Sequence, residues 1–162
     1  MTSRPGSRVA DRLRDAARRP APMRQWTGLR PAERIAAAGA AAIAGSLLLP
    51  WYGIELEVFS GFSQTGIEAF SFAHAALLMT AGAALALIAR CAAGYRPPRP
   101  LGEGGLLALA GIWAALIVGF LAVDRPDEIA GFGTVRLRYG AFVGLAGCVA
   151  LILGGLRMRR VP

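Results

Sequence analysis

The sequence predicts an all-α membrane fold, a four-transmembrane-helix bundle with a small external β-strand cap. The 162-residue chain is 55% hydrophobic, has a mean hydropathy of +0.48, and is only 17% charged, against about a quarter in a typical soluble domain. Its charges lie almost wholly at the ends and between four apolar runs. Each run approaches the roughly 20 helical residues that cross a bilayer, and together they leave too little polar surface for a soluble fold.

Helix-breaking and capping residues set the limits of the four spans. Pro31 suits the first turn of the first helix, and Pro50 closes that run. Thr65 and Glu68 match a capping box, so the second helix is expected to begin before the hydrocarbon, and Gly94 can stop it. The predicted spans cover about 32–50, 70–90, 102–123 and 139–157, within a membrane domain at 30–158.

The end of the first span indicates a retained membrane anchor. Pro50-Trp51-Tyr52 is a poor cleavage site, which argues against a signal peptide. The aromatic pair Trp51 and Tyr52 is instead expected at the level of the lipid headgroups.

Arginine placement predicts the orientation. All 18 basic residues are arginine; nine lie in the tail through Arg34, three after span two and three at the C-terminus. The other two connections hold none and three. The positive-inside rule then places both termini in the cytoplasm. Arginine in place of lysine, with abundant Ala and Gly, is typical of a GC-rich bacterial genome, so the predicted location is the bacterial cytoplasmic (inner) membrane.

Segment 1–29 is predicted to be a basic, largely disordered cytoplasmic tail that fixes the membrane topology of the chain. The alternative is a short amphipathic helix on anionic lipid, because Val9, Leu13 and Ala16 share a helical face. Despite a pI near 11.1, no basic face is interleaved with aromatic residues, so nucleic acid is not an expected partner.

Two connections carry complementary charge patterns. Residues 54–58 alternate apolar with Glu55 and Glu57, and residues 135–138 alternate apolar with Arg136 and Arg138. Alternation predicts half-buried strands, and cross-strand ion pairs stabilise sheets modestly. We therefore expect the two segments to pair in a small external sheet with the four charges on one face. The alternative is that each loop simply keeps its charges in water.

Small residues recur on two spans at spacings that allow helix backbones to approach closely. The candidate packing positions are Gly111, Ala115 and Gly119 in span three and Gly140, Gly144, Gly147 and Gly154 in span four. Packing within the bundle is the favoured interpretation. A docking face for another subunit is the alternative.

Residues that carry chemistry are few. The weak functional candidates are His74, the only histidine, and Glu68, six residues before it. Cys91 and Cys148 face no oxidising compartment and form no metal-ligand pattern, so no disulfide, metal or cofactor is expected. No ionisable residue lies at mid-depth in a span, which disfavours coupled transport by one protomer.

Three short motifs resemble a recurrent type: Leu-Leu-Pro-Trp-Tyr at 48–52, Gly-Ile-Glu-Ala-Phe at 66–70 and Arg-Tyr-Gly-Ala-Phe at 138–142. The chain resembles uncharacterised small four-span actinobacterial membrane proteins over most of 30–158. This resemblance implies the topology and a GC-rich source, and no activity. The four-span plan with an external strand pair is also similar to claudin-like proteins, whose external Trp and Cys signature is absent here.

These observations predict a non-enzymatic membrane protein that serves as an accessory, assembly or interaction subunit. Its expected partners are the lipid bilayer and either a membrane protein or a second copy of the chain. The alternative is a small oligomeric transporter or channel component with a path between protomers. A weaker third hypothesis is a lipid-modifying enzyme that uses Glu68 and His74 near the outer interface.

Overall fold

A computed structural model describes residues 28–56, 62–69, 71–95, 97, 101–123 and 133–159. Its helices are α1 (Pro31–Ser46), α2 (Phe72–Ala92), α3 (Gly102–Val123) and α4 (Tyr139–Arg159). Its strands are β1 (Pro50–Leu56), β2 (Phe62–Thr65) and β3 (Gly133–Leu137). Nearly all of the tail predicted at 1–29 lies outside the described residues.

Within the described residues, three helices are long and apolar enough to cross a membrane. They are α2, α3 and α4, with 21, 22 and 21 residues. Their bounds agree closely with the second, third and fourth predicted spans. At α2, Gly94 has a φ of 97° and follows the last turn, where the Tyr95 N–H donates to the Arg90 carbonyl at 2.9 Å. A glycine in the left-handed conformation is the usual helix stop.

Helix α1 is shorter than the predicted first span. Its 16 residues rise about 24 Å at 1.5 Å per residue, less than the roughly 30 Å of a hydrocarbon core. Past Ser46 the chain tightens into a turn, in which the Leu49 N–H donates to the Ser46 carbonyl at 3.0 Å. Pro50 then opens β1. The prediction that this span reaches residue 50 was wrong, because its last residues belong to the turn and the strand, and the length of α1 alone does not support a fourth span.

The helices form a ring in which each contacts the next along the chain and α4 returns beside α1. Helix α4 has its most extensive contacts with α1 and α3, whereas α2 contacts its neighbours more sparsely. Gly154 lies against Ala36 near the start of α1, and Gly147 lies against Gly39 further along. Helices α1 and α4 therefore run antiparallel. Apolar side chains fill the bundle, with the fully buried Leu77, Leu107 and Leu151 contributed by α2, α3 and α4.

The sheet lies at one end of the bundle and has the order β2-β1-β3, with both pairs antiparallel. Strand β1 pairs with β3 so that Gly53 lies opposite Arg136 and Glu55 opposite Thr134. The small sheet expected from the two charged connections is therefore present. It starts at Pro50, earlier than predicted, and gains β2, which the sequence reasoning missed.

Candidate functional site

A cluster of aromatic and polar side chains lies where the sheet meets the helices. Trp51 is 0% exposed and His74 is 2% exposed. The His74 ring packs edge-on against Trp51, with centroids 5.3 Å apart, and against Tyr52 at 6.5 Å. Trp51 and Tyr52 were expected at the level of the lipid headgroups, and both side chains are buried inside the protein. Consecutive strand residues normally point to opposite faces, but the register of β1 shifts between Pro50 and Tyr52, and both rings pack against His74.

Hydrogen bonds tie this cluster to two helix ends. The Trp51 Nε1–H donates to the Ser46 carbonyl at the end of α1, at 2.7 Å. The Tyr52 hydroxyl donates to the Leu121 carbonyl near the end of α3, at 3.1 Å. Such bonds satisfy helix-end carbonyls that lack partners within the helix. Strand β1 thereby fixes the separation of helix ends that the chain itself does not join directly.

His74 is enclosed at the start of α2. Its Nδ1 lies 2.9 Å from the Ser71 Oγ, and its Nε2 is buried with no hydrogen-bond partner among the described residues. A histidine that acts as a general base must lie within hydrogen-bond reach of the proton that it removes from a substrate or a nucleophile. The His74 ring contacts the Ser71 hydroxyl and two aromatic rings and is only 2% exposed, an enclosure that suits packing.

Glu68, the second functional candidate, lies in the turn before α2 and is exposed. Its Oε2 accepts from the Thr65 N–H at 2.8 Å and the Thr65 hydroxyl at 3.0 Å, while the Glu68 N–H donates to Thr65 Oγ1 at 3.2 Å. The bond from the Thr65 N–H, then that from its hydroxyl, lowers the pKa of Glu68. The predicted capping box thus exists, but it caps a separate turn at 66–69, and α2 begins at Phe72.

The small residues singled out in the sequence divide into two groups. The first group consists of glycines that contact another element. Gly111 lies against α4, and the α4 glycines at 140, 144, 147 and 154 lie against α1 and the turn and strand that follow it. At Gly147, a Cβ would come 2.8 Å from the Gly39 carbonyl oxygen. Ala115 packs against the core, partly buried. Gly119 is exposed, and a Cβ there would meet nothing within 4 Å.

The charged strand residues are only partly described. The register places Arg136 opposite Gly53 and Glu55 opposite Thr134, so neither Glu55 nor Arg136 has the other as its direct cross-strand neighbour. The Arg138 N–H donates to the Trp51 carbonyl at 2.8 Å, and the Arg138 side chain lies over Gly53. Glu57 lies outside the described residues. The predicted ion pairs between the two strands stay a prediction.

A second site, which we call the inner cleft, lies at the opposite end of the bundle. It has a volume of about 590 Å³. It forms where α1 begins, α2 ends and α3 begins, and its lining is Gly28, Leu29, Arg30, Glu33, Cys91, Ala92, Gly94, Tyr95 and Glu103. The Arg90 guanidinium lies 4.9 Å above the centre of the Tyr95 ring. The cleft therefore combines two carboxylates, a thiol and an aromatic side chain.

Sequence reasoning missed the inner cleft because its polar residues come from three separate helices. Glu33 and Glu103 each lie in the first turn of a helix, and Cys91 lies in the last turn of α2. The predicted orientation puts these three helix ends on the same side, a signal that could have found the cleft.

Cys91 and Cys148 are free thiols, and the described part of the chain brings no three metal-ligating side chains together.

Comparisons with known proteins assign no role to either of these two sites. No protein-family model, curated protein or solved structure matches the chain. Functional reasoning therefore rests on the contacts, burial and charges of the residues described above.

Proposed function

We propose that this is a non-enzymatic, four-span protein of the bacterial cytoplasmic membrane that acts as an accessory or interaction subunit, with α2 as its docking helix. Helix α1 serves as the fourth span because it runs antiparallel beside α4, itself long enough to cross. The arginine distribution favours cytoplasmic termini, with the sheet on the outer face. The likeness to small four-span actinobacterial proteins agrees with this topology and stays a prediction.

The observation that carries the proposal is the unused small-residue face of α2. Gly82, Ala83 and Ala86 are exposed, and a Cβ built on Gly82 meets nothing within 4 Å. Only 28% of the apolar window of α2 is buried, against 44% for α4. In lipid, small residues promote association because they let backbones approach closely. On α4 those residues are occupied by neighbouring helices, whereas on α2 they remain accessible to a partner helix.

The interior of the bundle favours a packing role over a conducting one. Apart from Ser46 and His74, the buried side chains among the described residues are apolar. Both exceptions lie near the sheet, where Ser46 donates to the Ile43 carbonyl at 2.7 Å. An ion or polar solute crossing one protomer would need polar groups at membrane depth. The rival function, a small oligomeric transporter or channel component, would have to place its path between protomers.

Site-specific crosslinking in native membranes tests the proposal. A photo-reactive amino acid at Ala86, on the exposed face of α2, is expected to capture a different membrane protein as a defined heteromeric adduct. The matched control places the same amino acid at Val149, which is exposed on α4. We expect little or no adduct there. Gly82→Leu, which fills the small face, is expected to abolish the Ala86 adduct while leaving the helical content of the protein unchanged.

Two results would overturn the accessory role. Adducts that form equally from Ala86 and Val149 would mean that α2 is no special contact face. A purified homo-oligomer that conducts solute in liposomes, and in which Ala86 crosslinks only to a second copy of the chain, would establish the transporter alternative instead.

A further inference from the structure

The inner cleft places negative charge inside and positive charge at its rim. Glu33 and Glu103 both line it, and both are partly buried. The exposed Arg30 also lines it, and the exposed Arg90 lies over Tyr95, one of the lining residues. The volume of about 590 Å³ falls within the usual range for small-ligand sites, roughly 300–1,000 Å³.

One carboxylate oxygen in this cleft lacks a partner. Glu103 Oε1 exposes less than 1 Å² and has no hydrogen-bond partner among the described residues. The neighbouring Glu33 differs, because its Oε2 accepts from the Arg30 N–H at 2.8 Å. Buried polar groups are nearly always hydrogen-bonded, so an unpaired one points to a missing donor. A cationic donor would supply this bond and would also offset the two negative charges that line the cleft.

The position of the cleft narrows the choice of donor. It lies at the ends of α2 and α3, two helices long enough to cross a membrane, and therefore at the level of the headgroups. A ligand that meets carboxylates inside and guanidinium groups at the rim carries an ammonium group and a phosphate a few atoms apart. Arginine is well suited to bind the phosphate of such a ligand.

We propose that the inner cleft binds the ammonium group of a phosphatidylethanolamine-type lipid headgroup. Glu103 and Glu33 accept hydrogen bonds from the ammonium, and Arg30 and Arg90 contact the phosphate. The acyl chains then leave the cleft along exposed apolar side chains near the start of α3, such as Leu101. This lipid site goes beyond the accessory role and does not depend on it.

Lipid retention by the purified full-length protein tests this site. The protein is extracted in mild detergent, incubated with equal amounts of phosphatidylethanolamine and phosphatidylglycerol, and analysed by native mass spectrometry. Phosphatidylglycerol carries the phosphate without the ammonium, so we expect phosphatidylethanolamine to be retained preferentially. Glu103→Gln removes the charge at nearly constant shape and is expected to weaken that retention about tenfold, the effect of losing one charged hydrogen bond. Glu68→Gln, the same change at an exposed site near the sheet, is the matched control and should alter nothing.

Competition with water-soluble phosphoethanolamine tests whether the cleft binds a lipid headgroup or the same chemical group in a soluble molecule. If it displaces the lipid and Glu103→Gln weakens both ligands, the cleft recognises the headgroup chemistry whether or not acyl chains are attached. If only the lipid binds with this selectivity, the chains contribute, and the lipid source is supported. Equal retention of the two phospholipids would overturn the proposal, as would unchanged selectivity in a folded Glu103→Gln protein. Should circular dichroism show that this variant is unfolded, Glu33→Gln provides the same test, and unchanged selectivity there would likewise overturn it.

Discussion

Helices α2 and α4 have the same length and nearly the same hydropathy, yet they are used differently. Each has 21 residues, and their most apolar windows have mean hydropathies of 1.9 and 2.0. Helix α4 is enclosed by α1 and α3, where Gly147 and Gly155 let backbones approach within contact distance. The buried residues of helix α2 are His74, Leu77, Ala81, Ala84 and Ile88. Its glycine at position 82 touches no other element.

The comparison shows that apolar content decides whether a helix can enter a membrane but not which face it shares with the protein. That second choice depends on where small residues fall relative to the neighbouring backbones. Helix α2 is anchored at its N-terminal end, where His74 packs edge-on against Trp51 and Tyr52. A helix held at one end and sparsely along its length is suited to receive a partner.

The largest effect is expected from removing the residue that connects the two helices. The Trp51 ring contacts His74 of α2, and the backbone of Gly140 in α4 comes close to the same indole. Trp51→Ala should lower the free energy of unfolding by about 3–5 kcal/mol, the usual cost of deleting a buried tryptophan. Helix content followed during unfolding in detergent mixtures gives the measurement.

Trp113 provides the matched control, because it is 55% exposed on α3. Trp113→Ala should change the free energy of unfolding by about 0.5 kcal/mol or less. Equal losses in the two variants would mean that the buried cluster does not hold α2 to the rest of the bundle.

A substitution of glycine by alanine is expected to have different effects on stability in α4 and in α2, and both effects are smaller than that of Trp51→Ala. At Gly147 in α4, an added Cβ would lie 2.8 Å from the Gly39 carbonyl oxygen and 2.9 Å from the Ile43 nitrogen. Gly147→Ala should therefore force α1 and α4 apart and cost about 1–3 kcal/mol. Gly82→Ala in α2 meets open space and should be neutral or stabilise by up to about 1 kcal/mol, because alanine favours helix more than glycine does. The same unfolding assay applies, and a loss of stability at Gly82 that matched the loss at Gly147 would contradict the distinction.

Much of this fold follows from local signals in the sequence. Apolar runs bounded by Gly94 and by the arginines after Leu156 fix the ends of α2 and α4, because helix stops and charge placement act within a turn or two. Alternation around Glu55 and Arg136 predicts that β1 and β3 pair. Strand β2 escapes prediction because Phe62–Thr65 is short and lacks a strong alternation. Its stability comes from β1, which is a tertiary contact.

The candidate sites were harder to predict because their members meet only after folding. Trp51 after an apolar run is typical of a membrane-interface anchor, and nothing local reveals that β1 turns this side chain inward against His74. Glu103 and Cys91 lie twelve positions apart, across the connection between α2 and α3. Their common cleft depends on the bundle order. Residue type and spacing therefore identified His74 as unusual, but its surroundings required the three-dimensional arrangement.

The smallest expected effect concerns the turn that leads into α2 and is driven by pH. Hydrogen bonds from Thr65 lower the pKa of Glu68 below its ordinary value of 4.5. A carboxyl with a lowered folded-state pKa stabilises the structure fully above its unfolded pKa, and loses that contribution as pH falls through the folded pKa. We expect the protection of the Thr65 amide against hydrogen exchange to fall on acidification below about pH 4.5, after correction for the intrinsic exchange rate. In Glu68→Gln, whose amide oxygen can still accept from Thr65 but does not ionise, this protection should be independent of pH. Because strand β3 leads into α4 without such a turn among the described residues, the amides of α4 serve as the internal reference. An equal loss of protection in α4 would show that acid loosens the whole bundle and not the attachment of α2 to the sheet.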